Sequence, residues 1–326
     1  MQNQTSDKTS DSNGYMLLSG RSNPKLAQSI ADILGKELCE PISSFADGEI
    51  RVKGIPNLRR RQVFIIQPTS SPVNDHIMEL ILMIDAAKRA SANEIIAVMP
   101  YFGYSRQDRK EMPRVPISSS VVAKMIENAG ADRILTLDIH SEQAEGFVQI
   151  PWDNLYGSYA LLPAINDQHL KNLVVASPDK GGMVRTTAYA RRLETVGIAS
   201  VYKERDLNLN NVSSALGMIG NVEDKDVLLV DDLVDTAGTL VNAANYLKKH
   251  GAKRIIAAAT HGLFSGNAIE KITDSAIEKV IVTDSLHMRD EVVSNPKIHI
   301  VSVAPLLAAA VSRVRTGESL SKDLIL

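Results

Sequence analysis

The chain has 326 residues, with 36 Lys and Arg against 38 Asp and Glu, a net charge of -2, 44% apolar residues and one cysteine, Cys39. That much apolar content folds into a core, and a lone cysteine makes no internal disulfide, which points to a reducing compartment and a cytoplasmic enzyme or binding protein. Near-neutral charge and a supply of only 5 Phe, 8 Tyr and 1 Trp exclude nucleic-acid binding by bulk attraction or stacking, and no apolar run approaches the roughly 18 residues of a membrane span.

The segment 1–14 is rich in Ser, Thr, Asn, Gln and Asp and is expected to be a disordered tail. From Met16 onward, short β-branched runs alternate with amphipathic segments, the rhythm of βαβ units. Strands are predicted at Met16–Ser19, Val63–Gln67 and Ile95–Met99, and helices over Asn23–Leu34 and Asn74–Ala90. In the second of these helices Ile77, Leu80, Ile81, Ile84 and Ala87 share one face. A helix opened by Pro116 follows over Ile117–Ala129, then a strand at Ile134–Ile139. A second series begins with a helix over Leu155–Ile165 and continues through strand Leu173–Ala176, helix Met183–Thr195 and strand Ile198–Tyr202. Strands at Val227–Val230, Ile255–Ala258, Lys279–Val282 and Ile298–Val303 then alternate with helices over Gly238–His250 and Asn267–Thr273, before a last helix over Pro305–Arg315. The order predicts an α/β chain of two similar doubly wound parallel-sheet domains, 15–153 and 154–304, with a C-terminal helix and tail over 305–326.

Ligands of open α/β sheets bind beyond the carboxyl ends of strands, so the residues after each apolar run are the candidates. In Asp231-Asp232-Leu-Val-Asp235-Thr236-Ala237-Gly238-Thr239, acids and small hydroxyl residues lie between a strand and a helix. The amides of 236–239, aided by the helix dipole, suit a phosphate, and Asp231 and Asp232 suit sugar hydroxyls. The plain alternative is that Asp235 and Thr236 only cap a helix. Arg106-Gln107-Asp108-Arg109-Lys110 is by itself a solvated basic turn. His140 follows a strand and an acid, a place where imidazole can meet metal or polyphosphate, although a lone histidine there is usually structural. Lys203-Glu-Arg205 opens a polar stretch running to Asn211 that reads as a mobile lid.

Taken together, Phe45-Ala-Asp-Gly-Glu49, Tyr104-Ser-Arg-Gln-Asp-Arg-Lys110, Asp138-Ile-His140, Ser177-Pro-Asp-Lys-Gly-Gly182, Lys203-Glu-Arg205, the 231–239 loop and Thr260-His-Gly-Leu-Phe-Ser265 resemble the ribose-phosphate diphosphokinase family, of the phosphate-regulated type with phosphoribosyltransferase-type domains. The resemblance spans Met16 to about Ser321. It implies transfer of the β,γ-diphosphate of ATP to the 1-hydroxyl of ribose 5-phosphate, with release of AMP. It assigns ATP to Arg106, Gln107 and His140, with Phe45, Asp47 and Glu49 reaching the base from a neighbouring subunit. Ribose 5-phosphate falls to Asp231, Asp232, Asp235, Thr236, Ala237, Gly238 and Thr239, Mg²⁺ to His140 and Asp179, and catalysis to Lys203 and Arg205. A homohexamer with shared active sites is implied, as are inorganic phosphate and ADP as effectors through Ser91, Arg114 and Ser319. Lys180 lies at a variable position, to pair with a carboxylate or touch polyphosphate. Lys-Asp-Leu-Ile-Leu at 322–326 replaces the family's usual aromatic ending.

Two other readings are open to the sequence. A phosphoribosyltransferase would use the 231–239 loop but needs no ATP site, against which Arg106, His140, Lys203 and Arg205 count. A silent regulatory paralogue would have lost or interrupted its catalytic loops, and here 203–207 and 231–239 run whole.

Overall fold

In the computed structural model, residues 14–204 and 215–321 are described. The expected tail therefore lies, apart from Gly14, outside the described residues, as do Arg205 and the side chain of Lys203. The chain divides into two compact units, Met1–Tyr156 with Ala304–Leu326 and Gly157–Val303.

The first unit contains β1 (Tyr15–Ser19), α1 (Pro24–Leu34), β2 (Leu38–Cys39), β3 (Ile42–Ser44), β4 (Ile50–Val52), β5 (Gln62–Ile66), α2 (Val73–Arg89), β6 (Glu94–Met99), α3 (Ser118–Ala129), β7 (Arg133–Leu137) and β8 (Trp152–Leu155). Six of these strands form a parallel sheet in the order β2-β1-β5-β6-β7-β8, and β3 and β4 make a separate antiparallel hairpin. Local chemistry sets the helix ends. Asn23 accepts a hydrogen bond from the Leu26 amide at 3.3 Å, Pro24 fills the first helical turn, and Gly35 ends α1 at φ 61°. The buried face of α2 includes Ile77, Leu80, Met83, Ile84 and Ala87, packed over Val63, Ile65, Ile95 and Ala97 of the sheet. The C-terminal helix α9 (Ala304–Thr316) packs against α1.

The second unit contains α4 (Ser158–Asn166), β9 (Val174–Ser177), α5 (Met183–Arg192), β10 (Gly197–Glu204), β11 (Ala215–Ile219), β12 (Val227–Val234), α6 (Gly238–Lys249), β13 (Ile255–Gly262), α7 (Ala268–Thr273), β14 (Lys279–Thr283), α8 (Asp290–Val293) and β15 (Ile298–Val301). Its sheet runs β11-β10-β9-β12-β13-β14-β15, parallel except for the antiparallel β10–β11 pair. Val174, Val175, Leu228, Leu229 and Ile256 are buried, as a sheet covered on both faces requires. The expected doubly wound α/β architecture is present in both units. Among the described residues, no helix is long and apolar enough to cross a membrane.

Each sheet has one place where the strand order reverses: between β1 and β5 in the first unit, between β9 and β12 in the second. Such switch points open a crevice at the strands' carboxyl ends. In the first unit the chain's own side chains bind one another there. Glu79, 1% exposed, accepts from the Arg21 amide at 2.9 Å, Arg21 Nε at 2.6 Å and Gln67 Nε2 at 2.8 Å. A Cβ on Gly20 would stand 2.4 Å from Gln67 Oε1, so glycine is required at that approach. Arg21 is half exposed, but its loss strips a charged partner from a buried carboxylate. Arg21→Met is expected to lower the unfolding free energy by about 2 kcal/mol, read as an earlier urea midpoint at unchanged slope.

Several boundaries differ from expectation. The stretch at Leu155 is the end of strand β8, not a helix start, because buried Asn154 accepts from Thr136 Oγ1 at 3.2 Å and from the Ile139 amide at 3.0 Å. Strand β7 stops at Leu137, where Asp138 turns at φ 40°. Helix α5 stops at Arg192, with Leu193 extended.

Candidate active site

In the first unit, Phe45, Asp47 and Glu49 stand together on the exposed β3–β4 hairpin. The turn is closed by Phe45 N–H to Glu49 O at 2.8 Å, and Asp47 Oδ1 accepts from the Glu49 amide at 3.1 Å. Phe45 is 48% exposed, with the Arg51 guanidinium 5.2 Å from its ring centre, and Arg21 Nη1 donates to Ser44 Oγ at 3.0 Å at the hairpin base. A cleft of about 470 Å³ separates the hairpin from α2, lined by Glu49, Asn74, Asp75 and Met78 among others.

Arg106 and Gln107 lie in the loop after β6, both exposed. Gln107 is tied to the start of α3: the Ser119 amide donates to its carbonyl at 3.1 Å, and Ser118 Oγ donates to its Oε1 at 2.6 Å. Its side-chain oxygen thus anchors the loop rather than projecting from it. His140 is exposed beyond β7. Nearby, Tyr156 donates to Glu142 Oε1 at 3.0 Å, and burial followed by the carboxylates of Glu142, Asp138 and Glu145 pushes its hydroxyl up to about 12. Such acid-rich surroundings favour a cation. Ser91 and Arg114 both take left-handed backbone, at φ 62° and 66°; the Ser91 carbonyl accepts from the Arg60 amide at 3.0 Å, and that of Ser319 from Arg313 Nη1 at 3.0 Å. The sequence reading had not singled out Arg60 or Arg313.

In the second unit the candidates gather at the β9/β12 switch point. After β9, Asp179 Oδ1 accepts from the Gly181 and Gly182 amides at 2.8 and 3.1 Å, while Asp179 O accepts from Ser177 Oγ at 2.6 Å and Ser200 Oγ at 3.2 Å. Gly182 is required by closeness, since a Cβ there would stand 2.4 Å from Ser177 Oγ. Among the described residues Lys180 is not ion-paired with a carboxylate; its ammonium sits 4.9 Å from the Tyr202 ring centre.

Strand β12 continues through Asp231 and Asp232 to Val234, so the acids lie within the strand end rather than beyond it. Burial, then the neighbouring Asp232, raise the Asp231 carboxyl well above the usual carboxylate range, against the pull of Arg185. Arg185 Nη1 stands 3.7 Å from Asp231 Oδ1 and 3.6 Å from Asp232 Oδ1. Sequence reasoning missed this arginine. Its signal was a cation in the first turn of the helix following Ser177–Gly182, one strand away from the acids.

The turn after β12 places Ala237 at φ 58° immediately before α6, where it takes the helix-cap position without a side-chain hydrogen bond. Asp235 and Thr236 therefore do not act as the cap. The first amides of α6 have no intrahelical acceptor, and Thr236 and Thr239 present exposed residues beside them. Two acids and the open amides of a helix start thus stand side by side at one strand end.

A profile for the N-terminal domain of ribose phosphate pyrophosphokinase matches residues 15–130, and one for the phosphoribosyl synthetase-associated domain matches 207–324. Ribose-phosphate pyrophosphokinase of Vibrio parahaemolyticus is 48% identical over 307 residues, 94% of this chain and 97% of that protein. Ribose-phosphate pyrophosphokinase of Chlorobaculum tepidum is also 48% identical, over 94% and 93% of the two chains. The crystal structure of phosphoribosylpyrophosphate synthetase from Mycobacterium smegmatis superposes with a TM-score of 0.87 at 35% identity, covering 94% of this chain and 99% of that one. End-to-end similarity of this kind means that the chain belongs to the ribose-phosphate pyrophosphokinase family.

Proposed function

We propose that the enzyme transfers the β,γ-diphosphate of ATP to the 1-hydroxyl of ribose 5-phosphate, giving 5-phosphoribosyl 1-pyrophosphate and AMP. The observation that carries this reading is the pairing of Asp231 and Asp232 with the open amides of 236–239 at one switch point, in a chain of this family. The loop amides take the 5-phosphate, and the two carboxylates accept hydrogen bonds from the ring hydroxyls, which fixes the sugar and leaves its 1-hydroxyl to attack in line. Phosphoryl transfer of this kind depends on positioning and charge neutralisation. Arg106 and Gln107 hold the nucleotide from the first unit, with Phe45, Asp47 and Glu49 of a neighbouring subunit closing on the base. Lys203 and Arg205 neutralise charge as the β-phosphorus is attacked.

Mg²⁺ fits Asp179, a hard oxygen ligand on an exposed loop whose second oxygen has no hydrogen-bond partner among the described residues. His140 is the other expected ligand. Among the described residues no group of three or more His, Cys, Asp or Glu could hold a metal by itself, which suits an ion that keeps waters and borrows substrate phosphates. When bound, the ion would offset polyphosphate charge. A cytoplasmic homohexamer with shared sites, activated by inorganic phosphate and inhibited by ADP through Ser91, Arg114 and Ser319, completes the reading.

A coupled assay tests the function. AMP is expected only when ATP and ribose 5-phosphate are both present, and formation of ADP in its place would overturn the assignment. Light scattering tests the assembly, where any mass short of a hexamer contradicts it.

A further inference from the structure

The loop that receives the 5-phosphate in this reading is held from one side by a second segment. The Leu263 and Phe264 amides donate to the Val234 carbonyl at 2.9 and 3.1 Å, and the Ser265 amide donates to the Asp235 carbonyl at 3.0 Å. Lys271 Nζ, from α7, donates to the Thr236 carbonyl at 3.2 Å. Arg289 Nη2 fastens this second segment in turn through the Phe264 carbonyl at 2.5 Å. Three successive carbonyls therefore face 263–271. In a planar trans peptide the N–H points opposite to the C=O, so the amides of Thr236 and Ala237 are aimed away from that segment. They join the first amides of α6 to form the cradle.

We propose that Lys271 is a positioning residue for the sugar phosphate. By holding the Thr236 carbonyl it fixes the plane of the Thr236–Ala237 peptide, at the residue whose backbone is left-handed, and aims the Ala237 amide into the cradle. Its ammonium also adds positive charge to a loop that contains Asp235 and follows Asp231 and Asp232, beyond what Arg185 supplies to those two acids. Nothing in the sequence around Lys271 marks it, because its partner is 35 residues away.

The inference rests on 236–239 being the phosphate cradle, and steady-state kinetics of the full-length enzyme separate the two. Lys271→Met keeps most of the apolar stem and removes the charge and the bond. It is expected to raise KM for ribose 5-phosphate roughly tenfold, equivalent to about 1.4 kcal/mol, with kcat and KM for ATP unchanged within about twofold. Lys271→Arg restores a cationic donor and is expected to recover most of the loss, which a purely packing role would not produce. An unchanged KM for ribose 5-phosphate in Lys271→Met overturns the proposal, as does equal damage to the ATP KM. Should Lys271→Met fold poorly, Lys271→Gln, which keeps a donor but no charge, is measured in the same way, and wild-type KM there removes the electrostatic half of the proposal. Thr239→Pro, which removes one of the first amides of α6 at a position that has no intrahelical acceptor, serves as the control on the cradle. If it raises KM while Lys271→Met does not, only the role of Lys271 fails; if neither does, the cradle reading fails with it.

Discussion

Replacing Lys203 with alanine is expected to lower kcat by roughly 10²–10³-fold, the usual effect of removing one preorganised donor from developing transition-state charge, with KM for both substrates little altered. Strand β10 does not end at Tyr202 but continues through Lys203 to Glu204, in antiparallel register with β11, in which Lys203 pairs with Leu216 and Tyr202 with Gly217 along the backbone. Tyr202 lies against Gly217, and Lys180 covers the Tyr202 ring. Ser200 Oγ adds a bond to the Asp179 carbonyl, so β10 is linked twice to the loop that bears the expected metal ligand. Arg205→Ala is expected to lose a similar factor, and the double variant little more, since groups acting on one transition state are not additive. Turnover of Lys203→Ala at the wild-type rate would remove the catalytic assignment.

The second large effect couples function to stability. Asp231 ionises against both burial and Asp232, so its carboxyl is raised in the folded protein. Below the unfolded value, about 3.9, the group is protonated in both states and costs nothing. As the pH rises through the folded value, the folded state must accommodate a second buried carboxylate beside Asp232, and stability is lost. Asp231→Asn is therefore expected to be more stable than wild type at pH 7 to 8, by roughly 2–4 °C in Tm for each kcal/mol recovered, with the advantage gone near pH 3.5. The same change replaces a carboxyl acceptor for a sugar hydroxyl by a carboxamide and is expected to raise KM for ribose 5-phosphate by roughly tenfold. Thermal scans across pH, paired with kinetics, check both signs. A less stable Asp231→Asn at neutral pH would contradict the account of the acid pair, in which Arg185 offsets part of a charge cost that the bound sugar offsets further.

Much of the fold was legible because its signals are local. Pro24 and Gly35 mark α1, the face of α2 repeats at helical spacing, and the parallel strands are near-continuous apolar runs. What escaped depends on partners distant in sequence. Strand β8 reads Trp-Asp-Asn-Leu and hides its pairing until Asn154 meets Thr136 and Ile139. Strand β11 contains Gly217, a poor strand former that is tolerated because the Tyr202 ring covers it. Strand β12 runs on through two aspartates because they fall at the sheet's carboxyl edge, where Arg185 stands against both.

The site divides in the same way. The 231–239 loop announces itself by composition, whereas Arg185 and Lys271 act on it from α5 and α7 and are visible only in the folded chain. The two units also differ in a way composition does not reveal. At the first sheet's reversal, Arg21 and Gln67 both bind Glu79, whereas at the second two acids stand beside the open amides of a helix start.

In the proposed reaction the sugar's 1-hydroxyl attacks the β-phosphorus of ATP. The most direct test is a single time course that quantifies AMP, ADP and the 1-pyrophosphorylated sugar from ATP and ribose 5-phosphate in the presence of Mg²⁺. Equal amounts of AMP and the sugar product, with no ADP, are predicted; ADP accumulation, or AMP released without consumption of the sugar, would contradict it.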